Sequence, residues 1–279
     1  MNAPAPASLA IVPQFDTLTV DIDAAVAHVG LNRPDHANAM NALMWDELEL
    51  CFSALDVCDA VRVVVLSGHG RHFCAGIDLE MLEALHAHGE PARRVETLRR
   101  RILQLQQNLT TIERCRKPVI AAVQGACVGG GVDIIACCDM RYASANARFS
   151  IKEIDVGLVA DVGSLQRLPY LVGEGLVREL AFTGRDMNAK EAQSVGLVNR
   201  ALETPEAMHE HVSEVALAIA SKSPLAIRGI KQTLDYGRGH SISDGLDYVA
   251  TWNGGMLSFD DIGEAIAAAK AGRSALYQD

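Results

Sequence analysis

The chain has 279 residues, 49% of them hydrophobic, enough to bury a substantial core as one large domain or a domain with an appendage. Its 25 basic and 35 acidic residues give a net charge of −10, and no run of Lys or Arg forms a nucleic-acid footprint, so phosphate backbones are excluded as partners. The seven cysteines (Cys51, Cys58, Cys74, Cys115, Cys127, Cys137 and Cys138) are odd in number and lack CxxC spacing, which points to buried reduced thiols rather than disulfides or a zinc site.

No basic residue and no long apolar core occurs in MNAPAPASLAIVPQF, so neither a signal peptide nor a transit peptide is expected. The C-terminal SALYQD is not a peroxisomal address. Val119 to Cys138 is the most apolar stretch of membrane-spanning length, but Gln124, Asp133 and four glycines interrupt it, which suits a buried strand, turn and helix. A cytoplasmic protein with no membrane partner and no metal is expected.

In chain order, residues 1 to about 15 read as an Ala/Pro tail. Leu18–Asp23 and Ala25–Asn32 read as a strand pair, with Asp21 to Ala24 supplying the turn. Asn41–Cys58 has apolar residues at helical spacing, and Val61–Leu66 is a β-branched run ended by Ser67-Gly68, hence a buried strand. Gly68–Gly76 is loop, and a helix begins at Asp78. Arg93–Cys115 reads as a long amphipathic helix with Leu98, Ile102, Leu105 and Leu109 on one stripe. Pro118–Val123 is a buried strand, followed by a glycine-rich turn and a helix through Cys138. Met140–Ala143 and Arg148–Ile151 are short strands, and Leu165–Leu171 and Gly175–Thr183 are helices. Asn188 with Glu191 forms a capping box for another helix. After about residue 200 no strand signal returns. Thr204-Pro205 opens a helix to about Lys222, and Pro224–Tyr236 and Asp261–Ala271 are further helices. The pattern is an α/β core over residues 16–203 with a helical region over 204–279.

Two strand-to-helix turns are rich in glycine, Cys74 to Leu79 and Gly129 to Asp133. Such turns leave backbone N–H groups unpaired at a helix start, where the dipole favours negative charge. Two of them converging form an oxyanion hole for a thioester enolate, although either turn alone is a common structural element. In Ile151 to Pro169, Glu153 is followed eight residues later by Asp161. Between them Ile154, Val156, Gly157, Leu158, Val159 and Ala160 offer no counter-charge. Two carboxylates directed into one dry pocket cannot both ionise easily, so one keeps its proton, and an acid and a base stand side by side. The competing reading is a solvated acidic turn. His28, His36, His69 and His72 read as loop histidines, and His209 and His211 sit on an amphipathic helix without a role. Cys74 reads as a packed small residue. Asp139 and Arg141 suit a structural ion pair or strand start.

Taken together, LNRPDHANAMN, FCAGIDL, PVIAAVQGACVGGGVDIIACCDMRYAS, FSIKEIDVGLVADVGSLQRLP and GLVNRAL, in this order and spacing, resemble the crotonase (enoyl-CoA hydratase/isomerase) family from about residue 15 onward. The resemblance implies a spiral of repeated ββα units and a C-terminal helical region that packs homotrimers, often paired into homohexamers. It also implies acyl-CoA thioester substrates, with CoA carried by the substrate and no separate cofactor. By position, the oxyanion hole falls on the backbone N–H groups of Ile77 and Gly130, with Ala75, Gly76, Asp78 and Leu79 lining the thioester and pantetheine. Family hydratases look to have Glu at positions 133 and 153 and Gly at 161, whereas this chain has Asp133, keeps Glu153 and adds Asp161. That triple is similar to the family's Δ3,5-Δ2,4-dienoyl-CoA isomerases of fatty-acid β-oxidation. It implies proton removal at C2 by Glu153, return at C6 by Asp161, and tuning of both by Asp133. The alternative is an enoyl-CoA hydratase or Δ3-Δ2-enoyl-CoA isomerase. A Lys that many relatives carry near the CoA phosphates is missing at Asp35 and His36, which leaves Arg33, Lys270 and Arg273 as substitutes. Acyl chain length is expected to depend on the helical stretch Glu80 to Glu96.

Overall fold

The computed structural model describes residues 12–83 and 90–279. The expected Ala/Pro tail up to residue 11, and residues 84–89 of the stretch assigned to chain length, lie outside them.

An antiparallel hairpin of β1 (Leu18–Asp23) and β2 (Val26–Leu31) opens the fold, turning through Ala24 and Ala25 at positive φ. Helix α1 (Ala42–Asp56) starts where the Asn41 side chain accepts the Met44 N–H. It leads to β3 (Val63–Gly68), α2 (Leu79–Glu83) and the long α3 (Pro91–Arg114). Next come β4 (Val119–Val123), β5 (Ala126–Val128) and α4 (Gly130–Ala136), then β6 (Met140–Ser144), β7 (Arg148–Ser150) and α5 (Ser164–Arg167). The sequence continues through α6 (Glu174–Thr183), β8 (Met187–Asn188), α7 (Ala189–Ser194) and β9 (Arg200–Leu202). It ends on α8 (Pro205–Ala220), α9 (Pro224–Gly237), α10 (Ile242–Met256) and α11 (Phe259–Ala271).

The strands divide between two sheets. The large sheet has the order β1-β2-β3-β4-β6-β9 and the small one β5-β7-β8. Within β4–β5–α4 the first strand joins the large sheet, the second the small sheet, and a helix follows, which is the expected ββα unit. Bridges Cys74↔Cys127 and Met40↔Ile77 continue the small sheet into the preceding turns of the spiral.

Alternation along the parallel strands explains why both faces of the large sheet are apolar. Val63, Val65, Ile120 and Ala122 face one way and pack with Met208, Val212 and Ala216 of α8. Val64, Leu66, Val119, Ala121 and Val123 face the other way, into the main core with Trp45, Leu48 and Phe52 of α1 and Leu109 and Ile112 of α3.

Several expectations need correction. β5 lies inside what reads as a glycine turn, and β9 falls just past residue 200, where no strand was expected. The helix expected at Leu165–Leu171 is instead the four-residue α5 followed by a 3-10 turn, because Pro169 cannot continue the hydrogen-bond ladder. Asn188 does cap α7, yet the reciprocal half of the capping box is absent, since Arg185 binds the Glu191 carboxylate at 2.6 and 3.0 Å. Of the two readings for Asp139 and Arg141 the strand start holds, with β6 beginning at Met140, but the two do not pair: Arg141 donates to the carbonyls of Leu197, Ile135 and Cys138, and Asp139 binds Lys231. None of the seven cysteines forms a disulfide, and all are buried.

That Lys231–Asp139 pair ties the helical region to the core. Lys231 of α9 is only 8% exposed and sits 2.7 Å from Asp139, whose same oxygen accepts the Val119 N–H at the start of β4. Removing one partner of a buried pair strands the other charge and costs roughly 3–5 kcal/mol. Lys231→Ala is therefore expected to lower urea-unfolding stability by about 3 kcal/mol, a loss that Asp139→Asn in the same chain reduces.

Candidate active site

Three adjacent parallel segments of the small sheet end on the same side. The Cys74 bridge pairs with β5, and β5 pairs with β7. The turns that follow them carry Ile77, Gly130 and Glu153, so register alone brings these residues together, as at the strand ends of other parallel sheets. They border a cavity of about 350 Å³ that also takes in Asp133 and Asp161.

The first turn is fastened to the preceding loop. Ala75 N–H donates to Ala37 O, Met40 N–H to Gly76 O and Asp78 N–H to Met40 O, at 2.8 to 3.1 Å. The Ile77 N–H is left without a partner among the described residues. Gly130 is the first residue of α4, and its N–H is one of the orphan donors of a helix start. In the second turn Gly129 has φ +50 and ψ −116, and a Cβ there would lie 3.1 Å from Glu153 Oε1. Glycine at 129 thus serves both the backbone shape and the close approach of the carboxylate.

Asp133, in the first turn of α4, is 0% exposed. The Ser164 N–H donates to its Oδ1 at 2.6 Å, and its Oδ2 has no partner. Burial, then the Glu153 charge, push this carboxyl up to about 7 from an ordinary 3.8. Glu153 stands on a 3-10 turn, Glu153–Val156, with a buried and unpartnered Oε2. Burial first and the Asp161 charge second raise its pKa. Asp161 titrates high as well, through burial. Lys152 leaves the three uncompensated, because its Nζ pairs with Asp155 at 3.1 Å and donates to Gly184 O. Asp155, two residues from Glu153, therefore belongs to the surface.

Of the remaining expected positions, Ala75, Gly76 and Leu79 line the cavity. Asp78 does not: Arg33 holds its carboxylate at 2.8 Å and keeps it well below the usual range. Arg33 is thereby engaged, and Arg273 is likewise engaged by Glu264 at 2.6 Å. Cys74 is buried, its thiol pushed up to about 12. His72 Nδ1 accepts the Ala126 N–H at 3.1 Å, and His69 bonds Thr19 Oγ1 at 2.7 Å, so both are structural.

Sequence reasoning missed the far wall. Leu98, Ile102 and Leu105 of α3 face Val156, Leu158 and Val159 across the cavity, and Arg101 and Lys152 are its basic lining residues. The stripe on α3 splits in two: Leu105, Leu109 and Ile112 enter the core, while Leu98 stays 41% exposed to the cavity side. A stripe wider than the core requires is the signal that was available.

Asp133 yields a sign-definite pH dependence. Its folded pKa lies above the unfolded one, so its contribution favours folding below about pH 4 and is lost as pH rises through about 7. Asp133→Asn keeps an acceptor for the Ser164 N–H and removes the charge. The variant is expected to match the parent in urea unfolding near pH 4 and to exceed it at pH 8 by about 2–4 kcal/mol. Equal stability at pH 8 would mean that the carboxyl is not desolvated.

Comparison with known proteins places this geometry. Residues 21–256 match the family model for enoyl-CoA hydratase/isomerase. Over 258 residues the chain is 46% identical to the peroxisomal Delta(3,5)-Delta(2,4)-dienoyl-CoA isomerase of Arabidopsis thaliana, covering 91% of this chain and 93% of that one. It is 47% identical over 247 residues to the mitochondrial Delta(3,5)-Delta(2,4)-dienoyl-CoA isomerase of Homo sapiens, covering 87% and 75%. The crystal structure of enoyl-CoA hydratase from Bacillus anthracis matches with a TM-score of 0.86 at 30% identity, over 94% of this chain and 99% of that one. With the ββα spiral, the two glycine turns and the acidic cavity in one chain, this protein belongs to the enoyl-CoA hydratase/isomerase (crotonase) family.

Proposed function

We propose that the chain is a Δ3,5-Δ2,4-dienoyl-CoA isomerase of fatty-acid β-oxidation. The observation that carries this is the third carboxylate: Asp161 shares the cavity with Asp133 and Glu153. Holding one water for hydration needs a pair, and Asp133 with Glu153 supplies it, which favours enoyl-CoA hydratase or Δ3-Δ2-enoyl-CoA isomerase as the second reading. Neither leaves a task for Asp161.

Isomerisation does. Glu153 takes a proton from C2, breaking the C2–H bond and sending its electron pair into the conjugated chain. The resulting dienolate carries charge to the thioester oxygen, which the Ile77 and Gly130 N–H groups receive. Asp161 then donates its proton to C6, forming the new C–H bond, and the double bonds come to rest at C2 and C4. Burial makes Asp161 hold its proton more tightly and makes Glu153 a stronger base, the matching that both steps need near neutral pH. The charges of Glu153 and Asp161 raise the proton affinity of Asp133, which stays fixed by Ser164.

Leu98, Ile102, Leu105, Val156 and Val159 give the conjugated chain an apolar bed. The substrate's CoA is the sole coenzyme in this scheme, and Arg101 and Lys152 are the basic residues that line the cavity. Ile242, Leu246, Phe259 and Ile266 of α10 and α11 stand exposed, in keeping with a homotrimer or homohexamer packed through this region. No helix among the described residues is long and apolar enough to cross a membrane. Seven buried cysteines without a disulfide suit the reducing cytoplasm expected for the chain, whereas the relatives are named for the peroxisome and mitochondrion.

Asp161→Asn is expected to cut formation of the longer-wavelength 2,4-dienoyl absorbance at least about 100-fold while CoA-ester binding stays within a few-fold. Retained turnover would sink the two-carboxylate scheme, and hydration of a 2-enoyl-CoA with no dienoyl turnover would favour the second reading.

A further inference from the structure

Residues 161–164 do two things at once. They carry Asp161, and through the Ser164 N–H they hold Asp133. Asp161's carboxylate receives no hydrogen bond from another side chain among the described residues, so its aim is set through its backbone. That backbone is gripped from outside by one face of α3. Gln106 Nε2 donates to Asp161 O at 2.6 Å. One and two turns further along the same face, Thr110 and Glu113 receive Arg167, the last residue of α5, at 3.2 and 2.8 Å. Arg167 in turn bends back to Val162 O at 3.5 Å. Gly163 at φ +135 makes room for this, since a Cβ there would collide with Arg167 Nη1.

A second cavity of about 450 Å³, bordered by Gln106, Thr110, Glu113 and Arg167, lies behind the loop, and Val162 lines it and the catalytic cavity alike. The 161–164 segment is therefore a thin partition with open space on both sides. Without a tie to α3 it has room to move. The adjoining stripe of α3, through Leu98, Ile102 and Leu105, forms the apolar wall of the catalytic cavity. A single helix thus fixes both the wall against which the chain would lie and the distance of Asp161 from it.

We propose that Gln106 is a positioning residue for the reaction, acting through the Asp161 carbonyl to hold the Asp161 carboxyl at the far end of the substrate, with the Glu113–Arg167 pair bracing the same loop. The proposal rests on the isomerase function above, and it separates the two ends of the reaction: Gln106 governs proton delivery at C6 and leaves proton removal at C2 to Glu153. A shift of about 1 Å in a reacting group costs up to 100-fold in rate.

Gln106→Met keeps length and volume and loses the donor. In this variant kcat for a 3,5-dienoyl-CoA is expected to fall about tenfold or more, with KM within twofold. Washout of a C2 deuterium from the remaining substrate is expected at the parent rate or faster, because a dienolate that waits longer for its C6 proton returns more often to C2, and thermal unfolding is expected within about 2 °C. Gly163→Ala, which displaces Arg167 from its seat, is expected to give the same split between washout and turnover. Unchanged kcat in Gln106→Met would overturn the proposal, as would washout and turnover falling together by one factor, the mark of general damage. A parent enzyme that exchanges C2 protons without isomerising would instead overturn the isomerase function, and this inference with it.

Discussion

Burial of Asp133 without a counter-ion is the constraint on which the site depends. Its Oδ1 has one backbone donor and its Oδ2 has none. Lys152, which lines the cavity, is engaged by Asp155, and Arg33 and Arg167 outside it are engaged by Asp78 and Glu113. Desolvation therefore outweighs the hydrogen bonds these carboxylates accept, and Asp133, Glu153 and Asp161 all hold protons more tightly than carboxylates in water. Such an arrangement opposes folding at neutral pH, and the large apolar core and the Lys231–Asp139 tie offset it.

The sheets exist in the form that makes this possible. The central parallel strands β3 and β4 of the large sheet are apolar on both faces, so α8 covers one side of them and α1 with α3 the other. The small sheet then has one duty, to end three neighbouring segments side by side. Cys74, β5 and β7 pair in register, and the turns beyond them deliver two unpaired N–H groups and a carboxylate to one place. Position 163 needs glycine because a guanidinium comes to rest where a Cβ would stand, and position 129 because of its positive φ and the close approach of the Glu153 carboxylate.

Much of this was legible in the residues. Runs such as Val63–Leu66 and Val119–Val123 announced buried parallel strands, and the two glycine turns announced paired donors. The acidic set was legible through its resemblance to the family, not through spacing: Glu153, Asp155 and Asp161 look alike in the sequence, and only the pairing of Asp155 with Lys152 puts it outside. α10 escaped notice because Gly245, Gly254 and Gly255 break its pattern and none of its residues is fully buried, so no apolar periodicity marks it. The resemblance makes Asp78 a lining residue, yet Arg33, remote in sequence, holds its carboxylate. Gln106 carries no signal at all in one sequence. Its meaning comes from a contact across 55 positions.

A direct test of proton transfer at two ends is to run a single turnover of 3,5-dienoyl-CoA in deuterium oxide and locate the label in the 2,4-dienoyl product. Separate carboxylates require the C2 hydrogen to be lost and one deuterium to appear at C6, delivered from the exchanged Asp161 carboxyl. Full retention at C6 of the hydrogen that began at C2 would mean one group carries the proton from end to end, and would contradict the roles given to Glu153 and Asp161.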